Sequence, residues 1–334
     1  MSIKRKVILM SPDTILATIV IPCFNEEKFI GRAIESLVDS YVREKCEVII
    51  IDGMSTDGTR DLIRSYIEKK YPITLLLNSS QYQVFGMNMG IKKSRGKFIL
   101  RADAHAVYPK EYVRKCVELL ERTGAMNVGG VMEPVGETSI QKTVALAMQH
   151  PLGVGDAKFH LGNYTGYVDT VYLGAFRKEV FDNVGLFDTR CRTNEDAELN
   201  LRILKAGGKI YLDSSLRVRY SPRRSLGNLS AQYFKYGKGR AYTTWKHKRL
   251  TSWRQAAPVG LALTILLLLG LSFWKPLFLL GLPFYLLVLS LAGFASWPKK
   301  RIPFKQRVLL GTVFFMMHVA WGFGFLVYLI TRRV

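Results

Sequence analysis

The chain has 334 residues, room for one large or two small domains, and a formal net charge of +22. The charge is uneven: residues 1–222 hold all 26 acidic residues against 31 Lys and Arg, while the remaining 17 basic residues share the last third with three long apolar runs. Basic residues flanking apolar runs point to a membrane with anionic headgroups and away from nucleic acid. Cys23, Cys46, Cys116 and Cys191 lack C-x-x-C spacing, which excludes a zinc-finger or disulfide framework and fits a reducing compartment. Met1–Met10 is positively charged, but its apolar run is too short for a signal peptide, so residues 1–220 are expected to stay in the cytoplasm.

In chain order, Ala17–Pro22 is a β-branched strand closed by proline, and a helix is expected from Asn25 to about Ser40, with Asn25 as N-cap. Cys46–Asp52 is a second strand, followed by the turn-rich Gly53–Gly58 and a helix over Thr59–Lys69 capped by Asp57 or Thr56. Ile73–Asn78 is a third strand, Val84–Ser94 a helix, and Phe98–Leu100 a fourth strand. Strands alternating with amphipathic helices predict an α/β fold with a mainly parallel sheet covered on both faces.

Ligands in such folds gather at the carboxyl ends of strands. The loops at Pro22, Asp52 and Asp103 then face one crevice, with Gly53 and Gly58 admitting close backbone approach. Asp103 and His105, two apart in extended chain, project to the same side and can share a divalent cation; the same pair would also serve as an ordinary polar turn. Neither a dinucleotide-binding glycine fingerprint nor a P-loop is present. Glu195-Asp196 opens a helix behind Asn194, an N-cap candidate, where two carboxylates can act chemically or simply complement the dipole.

Ile19–Glu26, Ile50–Thr59, Asp103-Ala-His105, Leu173–Asp188 and Thr193–Leu199 together resemble the successive signatures of family-2 glycosyltransferases with the GT-A fold. Within that family the chain is most similar to the succinoglycan-biosynthesis glucosyltransferases. The resemblance implies a Rossmann-like GT-A domain over residues 1–222 and an inverting, metal-dependent hexosyl transfer. It implies that Pro22, Asn25, Glu26, Asp52 and Asp103 bind a UDP-sugar, and that Asp103 and His105 hold Mn²⁺ or Mg²⁺ on its diphosphate. Asp196 would be the general base, with Glu195 positioning. Many relatives carry two aspartates where this chain has Asp52-Gly53.

After Ser221, residues 223–255 mix nine basic residues with aromatics, a composition suited to a membrane interface. Gly237 and Gly239 predict a break in any helix there. Gln232-Tyr-Phe-Lys235-Tyr236 resembles the Gln-x-x-Arg-Trp motif of processive polysaccharide synthases, which makes Gln232, Lys235 and Tyr236 acceptor or interface candidates, beside the plainer reading of an interfacial helix. Apolar segments at 256–274, 276–297 and 308–330 have at least 19 residues each and make 256–334 a membrane region of about three helices, the first two either spanning or, given the tight turn at Lys275-Pro276, forming a re-entrant hairpin. The Lys299-Lys-Arg301 loop would be cytoplasmic and the C-terminus outside, although Arg332-Arg333 disagrees. The expected protein is a multi-pass inner-membrane enzyme that moves glucose from UDP-glucose onto a polyprenyl-diphosphate-linked saccharide in exopolysaccharide biosynthesis. Its partners would be UDP-sugar, that acceptor and membrane lipid, with no nucleic acid. The rival readings are a processive polysaccharide synthase and a non-catalytic membrane scaffold.

Overall fold

The computed structural model describes residues 15–250, 255–295 and 302–333. Met1–Met10, the interfacial Trp253 and Arg254, and the Lys299–Arg301 cluster lie outside the described residues. The chain divides into two compact units. One holds the chain up to Gly130 with Tyr167–Leu186 and Arg202–Leu216; the other holds Val131–Gly166, Phe187–Leu201 and the chain from Arg217 on.

The first unit opens with β1 (Ala17–Cys23), α1 (Ile30–Leu37), α2 (Ser40–Lys45), β2 (Cys46–Asp52), α3 (Thr59–Glu68), β3 (Ile73–Leu77), α4 (Gln83–Lys93) and β4 (Phe98–Arg101). β5 (Ala106–Val107), α5 (Tyr112–Thr123) and the start of β6 (Asn127–Pro134) follow. After α6 (Ser139–Ala147), α7 (Pro151–Val154) and α8 (Lys158–Leu161) of the second unit come β7 (Gly166–Val168), β8 (Tyr172–Arg177) and α9 (Glu179–Val184). Next are α10 (Glu195–Lys205) and β9 (Ile210–Tyr220). The sheet order is β3-β2-β1-β4-β8-β6-β9-β5, with β7 paired to β9.

Every residue of β2 is buried, as a parallel strand covered on both faces requires. β1 pairs in parallel with β2 and β4, and β2 with β3, in a register that sets Cys23 opposite Asp52 and Asp52 opposite Leu77. The strand ends therefore emerge at one edge. Beyond β4 the sheet is mixed, because β8 runs antiparallel to both β4 and β6. Parallel neighbours need a crossover that returns the chain to the same end, and these strands arrive from the other end.

One expected helix start is displaced. Asn25 is no N-cap: it has φ 54°, and α1 begins only at Ile30. Its side-chain oxygen instead accepts from the Thr56 N–H at 2.8 Å. α10 starts at Glu195 as expected: Asn194, at φ 60°, stands just before it and accepts from the Glu198 N–H on its carbonyl at 3.2 Å, while its side-chain amide donates to the Tyr236 carbonyl at 2.9 Å.

The second unit is helical. α11 (Leu226–His247), α12 (Ala256–Ser272), a 3-10 turn at Pro276–Leu280, α13 (Gly281–Ala295) and α14 (Phe304–Thr331) complete it. Among the described residues two stretches are long and apolar enough to cross a membrane, Pro276–Ala295 and Phe304–Thr331; α12 is shorter.

The expected break at Gly237 and Gly239 does not occur, and α11 runs unbroken for 22 residues. Both glycines sit where another backbone comes close. A Cβ on Gly237 would lie 2.0 Å from the Trp321 carbonyl oxygen, and one on Gly239 2.1 Å from that of Thr193. Gly227 of the same helix faces open space. Helix propensity favours alanine over glycine by about 1 kcal/mol, so Gly227→Ala should raise Tm slightly. Gly239→Ala should lose about 1–3 kcal/mol net, because overpacking outweighs propensity. Thermal melts of the two variants check this: a rise for both would mean that α11 does not press on Thr193.

Candidate active site

Four strand ends of the first unit build one crevice. Pro22 and Cys23 close β1, Gly53 follows β2, Asn78 follows β3, and Asp103 and His105 follow β4; all line a cavity of about 170 Å³ together with Glu26, Gln81 and Gln83. A larger surface groove of about 620 Å³ at Lys115, Glu118, Asp213 and Ser215 contains none of the expected residues.

The crevice loops are stitched by polar contacts. The Asn25 N–H donates to Ser55 Oγ and the Glu26 N–H to Thr59 Oγ1, each at 2.8 Å. In return the Gly58 N–H donates to Glu27 Oε2 at 3.2 Å. Asp52 has no exposed surface and is absent from the cavity wall. Its Oδ2 accepts from the Ser55 N–H at 3.0 Å, and Arg60 Nε stands 3.7 Å away. Burial, then the neighbouring Asp52 and Glu26, pushes the Cys23 thiol far up, so it stays protonated beside Asp52 Oδ1.

Asp103 is held by its backbone. Its N–H donates to the buried Tyr108 hydroxyl at 2.6 Å, and that hydroxyl lies 3.2 Å from its carbonyl oxygen. The contacts to its carboxylate are longer: Gln83 Nε2 and the Tyr172 hydroxyl at 3.4 Å, Arg101 Nε at 3.5 Å. His105 Nδ1 stands 3.1 Å from Glu26 Oε1. In the tautomer that donates to Glu26, the ring's lone pair is on Nε2. A carboxylate behind an imidazole is the usual backing of a metal-binding histidine. Among the described residues no three His, Cys, Asp or Glu side chains form a metal cage. Asp103 and His105 thus fit as a two-group donor set on one wall, with remaining positions left to a ligand.

In the second unit Glu195 is buried and Asp196 half-buried at the start of α10. Asp196 Oδ1 accepts from the Ala197 N–H at 2.8 Å. Gln232 and Tyr236 are brought to this segment: Gln232 Nε2 donates to the Tyr236 hydroxyl at 2.7 Å, and the Tyr236 carbonyl receives Asn194. Lys235 is exposed. One turn into α10, Glu198 has no exposed surface and meets Lys246 Nζ at 2.7 Å and His247 Nε2 at 2.9 Å. Lys246 also reaches Asp188 at 2.6 Å, where Arg190 and Tyr242 donate too. Burial acts to raise the Asp188 pKa, but hydrogen bonds from Arg190, Lys246 and Tyr242 outweigh it and hold the carboxyl well below the usual carboxylate range.

The model of Glycosyl transferase family 2 matches residues 18–185. The succinoglycan biosynthesis protein ExoA of Rhizobium meliloti (strain 1021) is 33% identical over 324 residues, 95% of this chain and 96% of the relative. The chain belongs to glycosyl transferase family 2. A dolichyl N-acetyl-alpha-D-glucosaminyl phosphate 3-beta-D-2,3-diacetamido-2,3-dideoxy-beta-D-glucuronosyltransferase of Methanococcus voltae is 30% identical over 66% of this chain and 71% of its own length. The mannosyltransferase PcManGT from Pyrobaculum calidifontis, solved with GDP-Man and Mn²⁺, superposes with a TM-score of 0.63 at 17% identity, over 93% of this chain and 88% of that one. S. aureus TarS 1–349 with UDP-GlcNAc gives 0.52 at 15% identity, over 95% of this chain and 92% of that one. The fold of this family 2 glycosyltransferase is GT-A.

Sequence reasoning missed Asn78, Gln81 and Gln83 on the cavity wall, although the end of β3 obeys the same strand-end rule as Pro22. It also missed the Lys246–Glu198 pair. The signal was there: in this family 2 chain Glu198 follows Glu195 by one helical turn, and two inward acids need a cation. Removing one partner of such a pair costs about 3 kcal/mol, so Asp188→Asn should lower stability by that order at pH 7. A depressed carboxyl contributes stability above its unfolded pKa and loses it as pH falls toward its folded pKa. The gap in Tm should therefore be full at pH 7 and begin to close below about pH 4. A gap independent of pH would remove the charge from the account.

Proposed function

We propose that the chain is an inverting, metal-dependent glycosyltransferase that moves glucose from UDP-glucose onto a polyprenyl-diphosphate-linked saccharide in exopolysaccharide assembly. It would work from the cytoplasmic side of the inner membrane. The observation that carries the donor site is the convergence of Pro22, Glu26, Gly53, Asp103 and His105 on one cavity wall. The ExoA relative supports the polysaccharide class, and the M. voltae relative, named for a dolichyl phosphate sugar, supports a lipid-linked acceptor. Sugar nucleotides in the two solved neighbours support the donor class, and Mn²⁺ in one of them the cation.

In this reading the crevice loops bind the nucleotide. Asn25 and Glu26 shape them, and Asp52 acts through the Gly53–Ser55 turn that it holds. Asp103 and His105 would hold the divalent cation, with Glu26 fixing the imidazole. When bound, the cation supplies Lewis-acid neutralisation of the departing diphosphate. The acceptor hydroxyl oxygen attacks C1 of the sugar from the face opposite the diphosphate, the C1–O bond to phosphate breaks, and the configuration inverts. Asp196 takes the hydroxyl proton on Oδ2, since Oδ1 is engaged by the Ala197 N–H. Glu195 positions Asp196. Gln232 and Tyr236 order the acceptor side, and exposed Lys235 meets the acceptor diphosphate or headgroups.

A panel of nucleotide sugars scored for UDP or GDP release with and without lipid-linked acceptor tests the reaction; no release with any donor would refute it. Asp196→Asn should cut turnover by at least ~10²-fold, the low end for a general base, and leave donor affinity nearly intact. Comparable turnover would remove Asp196 from the mechanism.

Imidazole suits Mn²⁺ better than Mg²⁺, which prefers oxygen ligands. His105→Asp should therefore lower the ratio of Mn²⁺- to Mg²⁺-supported kcat/KM by about tenfold. Glu26→Gln should weaken metal affinity by about tenfold or more through the lost backing carboxylate. Metal titrations unchanged in both variants would sink the assignment.

A further inference from the structure

Hydropathy treats the last apolar helices alike, but what packs against them differs. α12, the 3-10 turn and α13 turn bulky apolar side chains outward: Phe273 is 95% exposed, Leu277 71% and Phe284 67%. Lys275, at the tip, is the one charged residue between Gln255 and Ala295. This surface has the chemistry of acyl chains and of nothing aqueous.

α14 is the opposite case. From Leu309 to Tyr328 none of its residues is exposed. Its first half forms a cluster with Val144 and Ala147 of α6, Met148 just beyond it, Tyr220 at the end of β9 and Leu289 of α13. There His318 Nε2 meets the Leu152 carbonyl at 2.6 Å. Its second half packs Phe325 and Tyr328 on Cys191, Ala241 and Tyr242. At its end the Arg332 guanidinium lies 5.4 Å from the Trp245 ring centroid. α12 and α13 also pack along it, and the rest of what clothes both halves is segments that carry ions and polar loops. Tyr242 is bonded to Asp188, which Lys246 ties to Glu198. A helix of 28 residues crossing a bilayer would draw one of these sets into hydrocarbon. Each ion moved there costs several kcal/mol.

We infer that α14 does not cross the bilayer: the α12–α13 hairpin is the membrane-inserted element, and the C-terminus lies on the same side of the membrane as Asp196. A hairpin returns the chain to the face it entered, whatever depth its tip reaches. Arg332 and Arg333 then obey the bias of basic residues toward the cytoplasmic face. The inference rests on the membrane reading above and revises the expected external C-terminus.

The test is labelling by a membrane-impermeant maleimide in right-side-out and inside-out vesicles of cells expressing the full chain. Arg333→Cys and, as the reference beside the second unit's soluble helices, Ser139→Cys both replace exposed residues, while the four native thiols are buried. Both should label in inside-out vesicles and resist in right-side-out ones. Labelling of Arg333→Cys in the vesicles where Ser139→Cys resists would overturn the inference. Labelling of both from outside would overturn the cytoplasmic placement and leave the shared side standing. Recovery of the chain in the soluble fraction would overturn the membrane reading and the inference with it.

Discussion

A carboxylate with no exposed surface, Glu198, sits on the helix that begins with Glu195-Asp196. Leaving such a charge unpaired is prohibitive, and the partners available to it are Lys246 and His247 at the far end of α11. That requirement decides where α11 lies. Once Lys246 is drawn to Glu198 and Asp188, the middle of α11 passes over Thr193 so closely that Gly239 has no room for a Cβ. The other face of α11 meets α14 at Gly237 with equal closeness. One buried charge thus orders the segment that carries Asp196, the interfacial helix and the last apolar helix as a single stack.

The first unit relies on a different device, distributed rather than concentrated. Its strand ends are placed level by parallel register, and the loops leaving them would be mobile if each had to satisfy its own backbone. They instead satisfy one another. Asn25, Glu26 and Glu27 exchange hydrogen bonds with Ser55, Thr56, Asp57, Gly58 and Thr59. The residues of the two motifs are therefore polar in large part because they face each other, while Glu26 and Gly53 among them also line the cavity beside Asp103 and His105. Asp52 illustrates the division: it is central to the motif and buried behind the wall, holding Ser55.

How far the sequence revealed this depends on the range of the interaction involved. β1 and β2 were legible because burial on both faces leaves Val and Ile runs, and β3, at the sheet edge, and β4 as short apolar runs bounded by turn residues. The crevice was legible because strand ends, proline and turn residues are local. Asn25 was misread as a cap because a left-handed backbone and a distant partner leave no mark in the neighbouring residues. Tyr108 and Tyr172, which flank Asp103, and Lys246, which meets Glu198, are joined to their partners only by folding.

The glycines of α11 and the apolarity of α14 are ambiguous in the sequence for one reason. A glycine inside a helix loses propensity, which reads as a break unless something comes close enough to need the missing Cβ. A run of Leu, Phe and Val loses nothing by being buried in protein instead of lipid, so its hydropathy is silent on which solvent it meets. At Gly237 both questions have the same answer, because the backbone that fills the space is Trp321 of α14. α14 is met by backbone at Gly237 and, through its own Gly322 and Gly324, by the carbonyls of Pro258 and Phe234. Small residues at helix–helix contacts permit close approach on that scale, and here they lock α14 onto α11 and α12 with no room for a side chain between them.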